Sequence, residues 1–262
     1  PGRGTCLRHF EFVPALRRMS VICKLPSCDM PLVLCKGAPE ALRPLLLDAG
    51  PNFEALSAEL GARGLRVLAL GWKEILVDAG SILRQDAETK LRFAGLIAFG
   101  SHCKPEALEA VGCLRDAGVR CALVTGDALP TACFAASETG LLEDRVKNAV
   151  EPPNLLELVG ERWTSRDGTS HPLASASELC TSGRFLVATE ASLSAAGEEA
   201  WNQAAHHATV FARMSPSGKA KLVEYIKRFE QAGNQGRVMM VGDGGNDVGA
   251  LAAADAGLAL RR

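Results

Sequence analysis

From residue 94 onward, short runs that are apolar on both faces alternate with longer stretches of helical character. The runs are 94–100, "VRCALVTG", "RFLVAT", "ATVFAR" and "RVMMVGD". Between and after them lie "KPEALEAVGCLRDAG", "LPTACFAASETGLL", a helix over 192–205, "SGKAKLVEYIKRFEQAG" and "NDVGALAAAD". A strand with no polar face must be covered on both sides, and helices that return the chain between parallel strands do this. The pattern therefore predicts an α/β fold with a doubly wound parallel sheet over 93–262. Residues 145–183, rich in Ser and Gly with Pro152, Pro153 and "WTSRDGTSHPL", interrupt the rhythm and are expected to be an insertion.

Residues 1–92 read differently. "MSVICKL" and "PLVLCKG" look like paired strands, "APEALRPLLLDA" and "NFEALSAELGARG" like helices, and "LRVLALGWKEI" like a further strand. This predicts a separate α+β domain, joined through a linking helix in "KEILVDAGSILRQDAETKLRF". A length of 262 residues suits two domains, each with its own core.

Bulk properties remove several function classes. The 29 basic and 30 acidic side chains leave no field to attract nucleic acid. Nine cysteines at scattered spacings, with no CxxC pair, point to reduced thiols in place of a disulfide framework or zinc knot. No uncharged apolar run is long enough to span a bilayer, and "PGRGTCLRHFEF" lacks the build of a signal peptide, so any membrane attachment is expected through helices outside this sequence. With no initiating Met, the chain is expected to be a piece of something longer.

Ligands of open parallel sheets bind beyond the carboxyl ends of the strands. Three such ends carry chemistry: Thr125-Gly126-Asp127 in "LVTGD", Lys219 at a helix start after "VFARMSPSGK", and Asp243 and Asp247 in "MVGDGGND". Two carboxylates suit a magnesium ion, which usually takes one or two such ligands plus phosphate and water. A hydroxyl, backbone amides and an ammonium suit the oxygens of a transferred phosphoryl group. Each piece alone also reads as a turn, a helix cap or a solvated lysine; three in this order predict a phosphoryl-transfer site.

These residues resemble the haloacid-dehalogenase-like fold and, more narrowly, the P-type ATPases. The matching motifs are Lys36-Gly-Ala-Pro-Glu40, Thr125-Gly-Asp127, Phe211-Ala-Arg213 with Lys219, and Gly242-Asp-Gly-Gly-Asn-Asp247, in family order along almost the whole chain. The resemblance implies that 1–92 is part of a nucleotide-binding domain and 93–262 part of a phosphorylation domain. It implies that Phe12 stacks on adenine, Arg17 lies close to the nucleotide, Lys36 and Gly37 line the pocket floor and Arg66 reaches the phosphates. Thr125, Gly126 and Lys219 would bind the phosphoryl group, Asp127 and Arg213 would seat the nucleotide or hold the loops, and Asp243 would bind Mg2+ with support from Asn246 and Asp247. "HFEFVPALRRMSV", "WTSRDG" and "GDGGNDVGALAAADAGLAL" are most similar to subfamily five, subgroup A. That subgroup implies ATP-driven extraction of mistargeted transmembrane helices or peptides at the endoplasmic-reticulum membrane, these domains facing the cytosol. The sister subgroup, linked to polyamine or cation transport, is the alternative.

The chain departs from the family in one decisive respect: it contains no DKTGT, the sequence that carries the nucleophilic aspartate. The isolated chain is therefore expected to form no acyl-phosphate, and its sheet to have a gap or rearrange where that strand belongs. Ala128 stands where an Asn is common, and Gly245 where Thr or Ala is usual. A soluble phosphatase of the same fold would need an N-terminal DxD that this chain lacks, and a module that binds ATP without turning it over is the third reading.

Overall fold

The computed structural model describes residues 4–76, 79–100, 103–142, 154–233, 236–243 and 245–260. Pro152 and Pro153 of the expected insertion and Gly244 of the acidic loop lie outside the described residues. The chain forms two compact units, 1–61 with 65–101 and 62–64 with 102–262.

The first unit contains β1 (Thr5–Val13), β2 (Arg18–Lys24), β3 (Leu32–Gly37), α1 (Pro39–Leu42), a 3-10 turn (Arg43–Leu45), α2 (Phe53–Ala62), β4 (Arg66–Glu74), α3 (Arg84–Ala87) and β5 (Arg92–Phe99). Its sheet runs in the order β1-β2-β3-β4-β5, antiparallel throughout. Alternation sets the faces: Val33 and Cys35 turn to a core with Ile22, Leu42, Phe53, Ala69 and Leu91, while Leu34 and Lys36 turn to the other side. Glu88 is buried against this sheet. Its carboxylate accepts from Arg18 Nε at 2.6 Å, Ser20 Oγ at 2.8 Å and Arg84 Nε at 3.0 Å.

Two expectations fail here. The strand expected to open the parallel sheet is β5, hydrogen-bonded antiparallel to β4; its apolar run suited either sheet, and register with β4 decided between them. Among the described residues of the expected linking helix only Arg84–Ala87 is helical, because β4 and β5 take its two ends into the sheet.

The second unit contains α4 (Pro105–Asp116), β6 (Leu123–Val124), α5 (Leu129–Glu138), β7 (Leu155–Val159), β8 (Arg162–Ser165), β9 (Ser170–Pro172), a 3-10 turn (Leu173–Ser175), α6 (Ala176–Thr181), β10 (Phe185–Thr189), α7 (Glu190–Ala196), α8 (Glu198–His207), β11 (Ala208–Ala212), α9 (Pro216–Gly233), β12 (Met239–Gly242), α10 (Val248–Ala253) and β13 (Ala256–Ala259). One sheet has the order β6-β11-β10-β7-β8-β9, and β12-β13 form a second. Strands β6, β11, β10 and β7 are parallel, and β8 and β9 extend the sheet as an antiparallel hairpin. The fold is thus mixed α/β, with parallel and antiparallel sheets.

The described part of the expected insertion is not an excursion. β7 pairs with β10, and alternation over β7 and β8 sends Leu156, Leu158 and Trp163 into the largest core of the unit. Trp163 is completely buried, and its indole N–H donates to Leu173 O at 3.3 Å. The helix expected over 192–205 is two helices, broken at Gly197, whose φ of 85° is a left-handed value.

β6 is an edge strand of its sheet, β12 and β13 form a sheet of their own, and apolar side chains stay exposed on α4, β12 and β13. No residue of α4 is buried. Met239 and Val241 of β12 and Leu258 of β13 are about half exposed or more.

Candidate active site

The ends of β6, β11 and β10 lie level with one another. Val124 is opposite Phe211, Phe211 opposite Ala188, and Ala212 opposite Thr189. Thr125, Arg213 and Glu190 therefore leave from neighbouring strand ends, with Thr125 and Glu190 roughly 10 Å apart at the strand spacing.

Backbone bonds lace the first two of these loops together. Thr125 N donates to Phe211 O, Met214 N to Thr125 O and Arg213 N to Asp127 O, each at 2.9 Å. Arg213 adds a guanidinium bond to Gly126 O at 3.2 Å and adopts φ of 53°, a left-handed conformation uncommon outside glycine. The Thr125 hydroxyl accepts from Asp127 N at 3.1 Å and lies 3.3 Å from Asp127 Oδ2. These bonds tie the loop of Asp127 to the loop of Arg213.

Lys219 lies in the first turn of α9. Its ammonium donates to Asp247 Oδ1 at 2.7 Å, and both residues are buried. Such a pair is costly to desolvate and survives burial only with close geometry. Gly242 makes the approach possible: a Cβ there would come within 2.7 Å of Asp247 Oδ2. Asp243 follows directly and is exposed, as is Asn246. The structure thus joins Lys219 to Asp247, which sequence reasoning had given separate roles. Among the described residues no three His, Cys, Asp or Glu side chains gather into a metal cage. One exposed and one buried carboxylate on a glycine-rich turn still fit magnesium, which takes few protein ligands when phosphate supplies others.

Two participants escaped the sequence reading. Glu190 follows the strand "RFLVAT" as Asp127 follows "LVTG", the same acid-after-strand signal. Its carboxylate takes the N–H and the hydroxyl of Ser215, the residue before α9.

In the first unit, register brings the nucleotide candidates to one end of the sheet. Lys36 lies opposite Met19 on β2 and Leu70 on β4. Arg66 is four residues from Leu70 on the same strand and the same face, about 14 Å along the sheet. The β1–β2 turn at this end carries Arg17 at φ 49°, and Phe12 lies in the irregular stretch between the Phe10–Ser20 and Val13–Arg18 pairs, 53% exposed. Arg17 bonds Glu40 at 3.0 Å, so part of its charge is already answered. Gly37 is needed for packing: a Cβ would lie 2.6 Å from Arg18 Cβ and 2.7 Å from Arg17 O. One cationic face, with an exposed aromatic ring at its end, suits a purine nucleotide.

No family profile matches the chain. Individual relatives do, over nearly all of it. It is 31% identical over 99% of its residues to an endoplasmic reticulum transmembrane helix translocase of Schizosaccharomyces pombe, and 32% identical over 99% to that of Saccharomyces cerevisiae. It is 32% identical over 97% to the mouse polyamine-transporting ATPase 13A2. The chain is thus homologous to P-type ATPases, as its motifs indicated. Within that class its likeness includes translocases of transmembrane helices. It spans about a fifth of those relatives' length, 22% in each of the two yeasts.

Proposed function

We propose that these residues are the nucleotide-binding and phosphorylation parts of an ATP-driven pump that forms an aspartyl-phosphate and extracts misplaced transmembrane helices from the endoplasmic-reticulum membrane. The observation that carries the reading is the buried 2.7 Å Lys219–Asp247 pair beside the laced Thr125 and Arg213 loops. A cation held at the strand ends of a parallel sheet is placed to neutralise phosphoryl oxygens.

In this reading Phe12 stacks on the base, and Arg17, Lys36, Gly37 and Arg66 hold the rest of the nucleotide. In the second unit, taken as haloacid-dehalogenase-like, Thr125, Gly126 and Lys219 bind the phosphoryl oxygens, Asp127 and Arg213 fix the loops, and Asn246 steadies the acidic turn. Asp243 and Asp247 would hold magnesium, which supplies charge neutralisation on the phosphate when bound. In this reading the nucleophilic aspartate comes from a strand outside these residues; β6, an edge strand, offers a side for it to pair with.

Calorimetric titration of the chain with a non-hydrolysable ATP analogue tests the first half. Saturable binding is expected, weakened at least ~10-fold by Phe12→Ala and by Lys36→Ala, each removing a contact of roughly 1–3 kcal/mol. In the full-length protein Asp243→Asn should abolish phosphoenzyme formation; normal levels would sink the metal assignment. Likeness to the mouse ATPase 13A2 supports a second reading, polyamine or cation transport. ATPase stimulation by polyamines, with none by a transmembrane-helix substrate, would favour it.

A further inference from the structure

We propose that Glu190 is a positioning residue that sets the aim of Lys219 by clamping the first turn of α9. The inference deepens the phosphoryl-transfer reading and rests on it for the role of Lys219.

Glu190 opens α7 directly after β10, where Thr189 and Ser192 form a reciprocal cap: Ser192 N donates to Thr189 Oγ1 at 3.1 Å and Thr189 N to Ser192 Oγ at 3.0 Å. The cap fixes the strand-to-helix corner, and with it the origin of the Glu190 side chain. From there the carboxylate reaches across to the loop after β11. Oε2 accepts from Ser215 N, and Oε1 from the Ser215 hydroxyl at 2.8 Å.

Ser215 is the cap of α9. Its oxygen accepts from Gly218 N at 2.9 Å, and its carbonyl accepts the first helical bond, from Lys219 N, at 2.9 Å. With one hydroxyl proton committed to Glu190, the 3.0 Å approach of Ser217 Oγ has a single solution: Ser217 donates to Ser215. Both Glu190 oxygens and the Ser215 hydroxyl are then engaged, and the orientation of the turn is anchored outside the helix by one carboxylate. That negative group also sits at the N-terminal end of an 18-residue helix, where its charge is favoured. The chain of contacts runs from Glu190 through Ser215 to Lys219, and from Lys219 Nζ to Asp247 Oδ1 at 2.7 Å.

Gly218 gives an independent sign of the clamp. A Cβ at this position would lie 2.5 Å from the Glu190 carboxyl carbon and Oε2. A helix interior would otherwise prefer Ala. The glycine is explained by the carboxylate lying against the turn.

The test reads the reactivity of the Lys219 amine toward an acylating reagent, by mass spectrometry, in the 262-residue chain, with Lys36 as the exposed internal reference. Glu190→Ala should speed Lys219 labelling about ten-fold by freeing the turn, leaving Lys36 unchanged. Gly218→Ala should do the same in the native background and add nothing once residue 190 is Ala, because the clash partner is gone. Unchanged protection of Lys219 in Glu190→Ala, or a Gly218→Ala effect that persists in the double variant, would overturn the clamp. Loss of a cooperative unfolding transition in Glu190→Ala marks general unfolding, and Ser215→Ala, which loses the hydroxyl link, then decides: protection equal to the native chain refutes the proposal. In the full-length protein Glu190→Ala should lower kcat for phosphoenzyme formation roughly ten- to hundred-fold, the scale of a misplaced catalytic group, with KM for ATP little changed. If Lys219→Ala itself leaves phosphoenzyme formation intact, the phosphoryl-transfer reading fails while the labelling result still decides the clamp.

Discussion

Residues of one charge type play opposite parts in the two units. Lys219 and Asp247 are buried as a pair at a glycine-rich turn beside parallel strand ends, where a charged ligand can be met. Glu88 is buried in a sheet packing layer and answered on the spot by Arg18, Arg84 and Ser20. Burial alone would raise the Glu88 pKa, but the hydrogen bonds from Arg84, Arg18 and Ser20 outweigh it and hold the carboxyl below its usual 4.5. A depressed folded-state pKa contributes stability that is present above pH 4.5 and lost as pH falls through the folded value. Denaturant melts of the chain should show this loss on the acid side, and Glu88→Gln should flatten it. Glu88→Ala leaves two guanidinium groups facing an empty site and should cost about 3 kcal/mol at pH 7. A loss under about 0.5 kcal/mol, the size of a neutral surface change, would show that the network is dispensable. The same environment pushes the buried Cys35 thiol up to about 12, mainly through burial and then the nearby Glu88 charge.

At the scale of elements, the hairpin β8–β9 and strand β7 show how sequence order can mislead. "LLELVGERWTSRDGTSHP" looks like a polar interruption because its turn is polar and its strands are short. Tertiary pairing with β10 turns Leu156, Leu158 and Trp163 inward. Trp163→Ala should therefore cost about 3–5 kcal/mol, as for a large core aromatic, read as a drop in the denaturant midpoint. A surface insertion would give almost no change. The two-residue β6 is the converse case. Its run "VRCALVTG" promised a long strand, yet only Leu123 and Val124 are laddered, both to β11. On its other side β6 is the edge of the sheet.

For the whole molecule, apolar side chains on α4, β12 and β13 stay exposed among the described residues. α4 buries no residue, with Leu108 and Leu114 exposed, and β12 and β13 expose Met239, Val241 and Leu258. Exposed apolar area of this kind marks a contact surface. The isolated chain should bind a hydrophobic dye such as ANS while keeping a cooperative unfolding transition, and Leu108→Lys with Met239→Lys should reduce that fluorescence without lowering stability. Dye binding unchanged by both substitutions would place the apolar surface elsewhere. The motifs and the mixed α/β class were legible in the sequence, because strand alternation, glycine turns and acids after strands are local signals. The Lys219–Asp247 pairing was not, since 28 residues separate the partners and each motif explains itself alone. The Glu190 clamp was hidden for the same reason: a carboxylate reaching the next strand's loop leaves no periodic trace. What the sequence by itself determined was which chemical groups stand at which strand ends. Only the tertiary structure decided which of those groups meet, because partner choice follows from strand register and neighbour order, which are long-range properties of the packed sheet.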